Sequence, residues 1–454
     1  MCDLYASCKA RRVDGRTPVV PEPAGQESAW AIVTERDLLR VIHADPLTGL
    51  KRTAGEAASR PLETVPADAF LYRAIGRMAR RGYRHLAAAD ATGNIVGAVT
   101  TRNLLGQRAQ DAISLGDAIE EAQTPDALGQ VWARLALVAK ALVGEEVDAR
   151  DVAAVASHEL CALTRRAAQI AERDMAVDGF GPPPVAYALM VLGSGGRGES
   201  LLAMDQDNAI VYASGEPDGP EDRWMAELGR RVGDHLNLAG VPYCQGGVMA
   251  RNPEWHLSQA GWRDRIGTWL TRSRPQDVLN SDIFFDAVVV HGEPAMGEAL
   301  HRDALAAAGK ARNFLRLMAM NAADVAVPLG WFGRFRLSEG RMDLKKGGIM
   351  PIFSAARVLA LTHGLEARST PERLEGARGV KDVPEAVIDN LIEAHRILLG
   401  AILRQQLADI ELGLALSNRV APGDLPAAAR ERLGWALAQV HSVPSLLGDP
   451  VPAV

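Results

Sequence analysis

Two apolar runs, Tyr187–Leu192 and Ala209–Ala213, flank a glycine-rich turn and a short polar segment. Each has the length and the bounding turn residues of a buried strand. Around this pair the pattern turns helical. Leu115–Asp178 is alanine-rich, with helices predicted over Leu128–Val143 and Val152–Val177 and a charged turn between them at 144–148; Gly179–Pro184 then breaks the helix ahead of the first strand. Arg223–Ala239 and Trp262–Ser273 carry apolar residues at helical spacing, and Ser281–Gly292 reads as a further strand. From Gly297 onward the spacing is almost wholly helical. The first 30 residues read as irregular, with a Pro/Gly-rich patch at Val19–Gly25. A short strand and a helix start follow at Ala31–Arg40, and an amphipathic helix is expected over Ala69–Arg81. Length alone suggests about three domains. The pattern divides the chain at 1–112, 113–180, 181–296 and 297–454, and the fold class is α/β multidomain, with the second segment a helical connector.

The turn between the two apolar runs carries the chemistry. Gly193, Ser194, Gly195, Gly196, Arg197 and Gly198 follow the first run, and Asp205-Gln206-Asp207-Asn208 opens the second. Residues two apart in a strand share a face, so Asp205 and Asp207 project together. Like charges placed so closely are costly unless a cation neutralises them, and a pair of Mg²⁺ ions held by oxygen ligands suits that need. The glycines let backbone N–H groups approach a phosphate closely, and Arg197 can clamp one of its oxygens. A Walker loop would need Gly-Lys-Ser/Thr where the chain has Gly198-Glu199-Ser200. Gly193, Gly195 and Gly198 spell the dinucleotide fingerprint, and Glu216 follows the second run, but only about ten residues are left for the full helix that fold requires. Asp residues also decorate turns without any ligand; spacing from the Gly-Ser pair, with Arg and Glu between, sets this pair apart. Asp343-Leu-Lys345-Lys346-Gly-Gly is the other suggestive break, two lysines that either meet a phosphate tail at a helix start or sit in a solvated turn.

Gly193-Ser194, Arg197-Gly198-Glu199 and Asp205-Gln206-Asp207-Asn208 resemble the nucleotidyltransferase motif of the DNA polymerase beta superfamily. The nearer likeness is to nucleotidyltransferases that carry cystathionine-beta-synthase (CBS) domains in bacterial signalling, themselves similar to protein-PII uridylyltransferases and glutamine-synthetase adenylyltransferases. Gly240–Trp255, with Gly246, Gly247, Asn252, Glu254 and Trp255, is similar to a second block of that family. Asp343–Pro351, Ala355–Leu361, Thr370–Leu374 and Leu403–Leu407 resemble its helical substrate domain. The resemblance implies a polymerase-beta-type sheet and transfer of NMP from an NTP to a protein or small-molecule hydroxyl, with pyrophosphate leaving. Asp205 and Asp207 would hold two Mg²⁺ ions about 3.5–4 Å apart, with Asp286 as a third metal carboxylate and Asp282 the second candidate. Gly193, Ser194 and Gly198 would bind the phosphates together with Lys345 and Lys346, Arg197 would offset leaving-group charge, and Glu199 would hold the turn or Arg197. Gly195 and Ser200 stand where relatives carry an acid and a glutamine. The chain has no His-Asp dipeptide, so the hydrolase domain that accompanies PII uridylyltransferases is not expected.

Val33-Thr-Glu-Arg-Asp37 and Val99-Thr-Thr-Arg-Asn103 form an internal repeat that resembles a CBS pair, its first copy incomplete. Such pairs hold adenine nucleotides, which would put Asp37 on the ribose hydroxyls; the other reading is a degenerate pair used for packing or as a homodimer contact. The formal charge of −6 argues against a nucleic-acid partner. Cys2, Cys8, Cys161 and Cys244 form no metal or disulfide spacing. With no uninterrupted apolar run of membrane-spanning length and no signal-peptide core, a cytoplasmic location without membrane association is expected. The class opposed to the enzyme is a non-catalytic regulator that senses an adenine nucleotide.

Overall fold

The computed structural model describes residues 11–13, 17–20, 31–33, 35–45, 48–59, 62–67, 77–78, 85–90, 94–100, 110–272, 274–324, 326–330, 333–380 and 383–447. They fall into two compact units, 1–114 and 115–454. The fold is mixed α/β, with small sheets and a helical C-terminal region.

In the first unit, β1 (Arg11–Val13), β2 (Thr17–Val20) and β3 (Ala31–Ile32) form an antiparallel sheet. Two strands thus lie in the stretch expected to be irregular: the β-branched run of β2 finds a partner on each side, Arg11–Val13 and Ala31–Ile32. Helix α1 (Glu35–Ala44) and the single-turn α2 (Ala54–Ala57) follow, the latter started by a Thr53–Glu56 capping box. A second sheet joins β4 (Thr64–Pro66) in parallel to β5 (His85–Ala89), and β5 in antiparallel to β6 (Ile95–Thr100), over a small core of Val65, Met78 and Leu86. The first copy of the sequence repeat follows the antiparallel pair β2–β3 and the second begins in the antiparallel pair β5–β6. The helix expected over Ala69–Arg81 lies outside the described residues except at 77–78, as does Asn103.

In the second unit, α3 (Gln110–Glu121), α4 (Pro125–Trp132), α5 (Leu135–Gly144) and the 29-residue α6 (Ala149–Val177) precede the sheet. The helix expected over Leu128–Val143 is two helices, turning at Ala133–Arg134. This 125–144 stretch has the length and mean hydropathy of a membrane span, yet it buries Trp132, Leu135, Val138 and Ala139, and its Lys140 pairs with Glu411 at 2.6 Å. The central sheet runs β10 (Val288–Gly292), β7 (Tyr187–Val191), β8 (Asn208–Tyr212), β9 (His256–Ser258). Strands β10, β7 and β8 are antiparallel in turn, and β9 is parallel to β8. Strands β7 and β8 are buried at every position, as their unbroken apolar runs predict.

Helix α6 braces the sheet edge. Arg165 donates to the Val290 carbonyl at 2.9 Å, and Glu172 takes the Tyr187 hydroxyl at 2.6 Å and lies 3.0 Å from His291 Nε2. Between β7 and β8 stands the one-turn α7 (Gly193–Arg197). Helix α8 (Pro220–Leu238) returns from β8, then α9 (Gln259–Arg272) and α10 (Pro275–Phe284) lead to β10. The strand expected over 281–292 is therefore helix over its first four residues: Pro275 in the first turn and Asp277 on the Arg274 amide start α10, and only 288–292 is extended. Trp255, Trp262, Trp269 and Phe284 pack ring on ring, with Trp262 and Phe284 stacked at 4.8 Å. Each such pair adds roughly 0.5–1.5 kcal/mol beyond the area it buries. Trp262 Nε1 also donates to the Ile210 carbonyl at 2.9 Å, so the cluster backs β8; Trp255 is buried in that packing.

The C-terminal region is helical, with α11 (Pro294–Lys310), α12 (Arg312–Ala323), α13 (Met350–His363), α14 (Thr370–Gly376), α15 (Glu385–Glu411), α16 (Ala427–Val440) and α17 (Val443–Leu447). A two-stranded ribbon of β11 (Met342–Asp343) and β12 (Arg419–Val420) interrupts it. Lys345–Ile349 forms one turn of π-helix running into α13, a widening that recurs at functional sites.

Candidate active site

The glycine turn and the aspartates meet at one end of the two inner strands of the central sheet because β7 and β8 are antiparallel neighbours. Val191 pairs with Asn208, and the Leu192 amide donates to the Asp207 carbonyl at 2.9 Å. The chain leaves β7 through α7 where Asp205-Gln206-Asp207 enters β8. Gln206 points inward and donates from Nε2 to the carbonyls of Gly233 and Val241, both at 2.9 Å. That anchor fixes the backbone between the two acids, and Asn208 Oδ1 accepts from the Ala250 amide just beyond them. Gly193 sits at φ +55°, and a Cβ there would lie 2.8 Å from Asp207 Oδ2. Only glycine allows that backbone and leaves room for the carboxylate.

Asp205, Asp207 and Cys244 bring their ligand atoms within 4.8 Å of one another. Burial, then the Asp205 charge, pushes the Asp207 acid up to about 7, while the Cys244 thiol, Lys345 and Arg197 pull the other way. A half-buried carboxylate raised by its neighbour is a group that wants a cation, and two carboxylates suit a hard divalent ion. Burial, followed by the Asp207 charge, pushes the Cys244 thiol up to about 12, which keeps it protonated beside Asp207. Lys345, exposed at the start of the π-turn, is close enough for its charge to favour the Asp207 carboxylate.

Other expected site residues are committed elsewhere. Arg197, expected to clamp phosphate, is 7% exposed. Its guanidinium pairs with Glu199 at 3.0 Å and with Asp286, and lies 4.1 Å over the Phe353 ring. Asp286, expected as a metal ligand, is fully buried and faces three arginines: Arg197, Arg357 and Arg373, the last at 2.8 Å. The glycine turn stands between the two acids, since Gly193 faces Asp207 while Gly196 lies against the Asp286 carbonyl. Burial alone would raise the Asp286 acid, but Arg357, Arg197 and Arg373 hold it at about 2. Asp282 is likewise paired with Arg357. Glu199 holds the turn, as the sequence implies: it accepts from Arg197, from the Thr370 amide at 2.5 Å and from the Thr370 hydroxyl at 3.0 Å. Burial opposes its ionisation, yet His395, Arg197 and the Thr370 amide keep it well below the carboxylate range.

Gly198 closes the turn at φ +76°, its amide donating to the Gly195 carbonyl at 3.2 Å, so its service is to the backbone. Ser194 Oγ lies 2.9 Å from Ser200 Oγ, and the Ser200 amide donates to Ser157. Gln406 of α15 accepts from the Leu202 amide at 2.9 Å, so the helical region grips the loop before Asp205. Lys346 is exposed and its amide donates to Asp343 at 2.9 Å. In the first unit Asp37 is buried and bonded to Arg40 and to Ser59 at 2.7 Å. Sequence reading assigns no site role to Cys244, Gln206, Gln406 or the arginines of α13 and α14, although Gln206, Arg357, Arg373 and Gln406 lie inside stretches that carry the family resemblance.

A family model described as "Putative nucleotidyltransferase DUF294" matches residues 133–276. The model for the substrate binding domain of that family matches 312–449, and a CBS domain model matches 54–109. The first span holds the glycine turn, both aspartates and Cys244; the second holds Lys345, Arg357, Arg373 and Gln406. The CBS match spans one copy, the later half of the sequence repeat. No curated protein matches the chain.

Proposed function

We propose that this chain, a member of the DUF294 nucleotidyltransferases that also carries a CBS domain, moves a nucleoside monophosphate from an NTP to a hydroxyl of a protein or small molecule and releases pyrophosphate. One observation carries the reading: two carboxylates at the start of an inner strand, one of them pressed against a glycine turn where no side chain fits. Its most specific form is uridylyl transfer to a PII-type protein, with adenylyl transfer the sister chemistry.

Asp205 and Asp207 would hold two Mg²⁺ ions, which supply Lewis acidity and lower the pKa of a bound hydroxyl. The main chain of Gly193–Gly195 and the Ser194 hydroxyl face the β- and γ-phosphates, and Lys345 adds positive charge on the side of the helical region. Glu199, Thr370 and Gln406 keep the turn and its following loop in place, so positioning and charge supply the acceleration. The helical region presents the acceptor. An adenine nucleotide at the CBS domain tunes the reaction, and that domain also joins two copies in a homodimer.

Thermal denaturation with each NTP tests this directly. An NTP at about 100 times its Kd should add roughly 2.7 kcal/mol, and only with a divalent ion present. Stabilisation by AMP alone, with no response to NTP and metal, would favour the non-catalytic sensor. Gly193→Ala should cost about 10²-fold in transfer rate, since shifts near 1 Å in a site group have that effect. Wild-type turnover in that variant would remove the close approach from the mechanism.

A further inference from the structure

The third member of the site is a thiol on a neighbouring segment. Gln206 and Tyr243 form a parallel bridge, and the Gln206 amide donates to the Pro242 carbonyl at 3.1 Å. One step further along both segments, Asp207 and Cys244 stand side by side on the same face. The Tyr243–Gly247 turn holds the thiol there. The Gly247 amide closes it on the Cys244 carbonyl at 3.1 Å, Gly247 sits at φ +73°, and a Cβ on Gly246 would lie 3.6 Å from the Cys244 sulfur. Cys244 is partly exposed, within 4.8 Å of both aspartate ligand atoms.

We infer that Cys244 is the third protein ligand of an ion held by Asp205 and Asp207, and that its sulfur gives the site a preference for thiophilic divalent ions such as Zn²⁺ or Cd²⁺ beyond what two carboxylates would show. The inference rests on the reading of Asp205 and Asp207 as a metal pair. When the metal–sulfur bond forms, the S–H bond breaks and its proton leaves to solvent, with no change of oxidation state. Thiolate donors select softer ions, whereas Mg²⁺ takes oxygen.

The test uses the full chain with Cys2→Ser and Cys8→Ser, and the metal alone. Cd²⁺ titration should raise an ultraviolet thiolate-to-metal charge-transfer band that disappears in Cys244→Ser and persists in Cys161→Ser. Cys244→Ser should weaken Cd²⁺ and Zn²⁺ binding by about tenfold or more, since even groups behind the ligands cost that much, and leave Mg²⁺ binding little changed. Cys244→Asp should remove the band and tighten Mg²⁺; an unaltered Mg²⁺ affinity would show that position 244 does not reach the ion. No band in the parent, or a band that survives Cys244→Ser, overturns the inference. Mn²⁺ binding measured on Asp207→Asn separates the two levels: if that variant loses Mn²⁺ while Cys244→Ser binds Cd²⁺ normally, the metal pair stands and the thiol does not. If Asp207→Asn binds Mn²⁺ normally, both fall.

Discussion

Asp207→Asn is expected to lower nucleotidyl transfer by about 10³-fold or more, near 4 kcal/mol of transition-state stabilisation, without lowering the melting temperature of the metal-free protein. The two halves have one cause. Burial and the neighbouring Asp205 push the Asp207 acid up to about 7, far above its value in an unfolded chain. A carboxyl whose folded pKa is raised favours folding while protonated and costs stability as pH rises through that pKa. Asparagine cannot ionise, so above pH 7 the variant should melt no lower than the parent when both lack metal. Adding Mg²⁺ should then raise the parent's melting temperature and leave the variant's unchanged. Transfer at the parental rate, measured with labelled NTP, would remove Asp207 from the metal assignment. A lowered melting temperature without metal would show instead that the carboxylate is a structural partner.

Reading the chain found this pair because every signal for it is local. The apolar runs, the glycines and the Asp-x-Asp spacing all lie within residues 187–212, and antiparallel pairing of β7 with β8 follows from so short a connection. Helices of the C-terminal region were legible for the same reason, from their own spacing. Contacts between distant segments were not. Nothing near Cys244 marks it as a neighbour of Asp207; the parallel bridge at Gln206 and Tyr243 does that. Arg197 reads as a phosphate clamp because Glu199 is the only one of its partners that the local sequence offers. The others are Asp286, 89 residues on, and Phe353 on α13. Asp286 looked like a metal ligand because a carboxylate before an apolar strand is common to both roles. Three arginines from α7, α13 and α14 decide between them. Ser281–Phe284 read as strand because four residues cannot show a helical period, and the start signal at Pro275 lies upstream.

The arginine cluster supports the second large effect. Asp286→Asn should destabilise the 115–454 unit by about 3–5 kcal/mol, the usual cost of removing one partner from a buried ion pair. In the folded protein Arg197, Arg357 and Arg373 face Glu199, Asp282 and Asp286, three cations against three carboxylates. Asp286 touches all three guanidiniums and is fully buried, so its loss leaves cationic charge that water cannot reach. Because α7 belongs to the transferase sheet and α13 and α14 to the helical region, the damage should loosen the grip of one on the other. The pH dependence has a definite sign. Arg357, Arg197 and Arg373 hold Asp286 at about 2 against burial, below its unfolded value near 3.9. Its contribution is therefore complete above about pH 4 and is lost as pH falls through 2. The parent should lose stability over that window more steeply than Asp286→Asn does, as read by chemical denaturation at successive pH values. Combining Asp286→Asn with Arg373→Met should recover part of the loss, because removing both partners avoids the unpaired charge. Strict additivity in that double variant, or an Asp286→Asn protein that keeps its stability while losing Mg²⁺ affinity, would return Asp286 to the metal site.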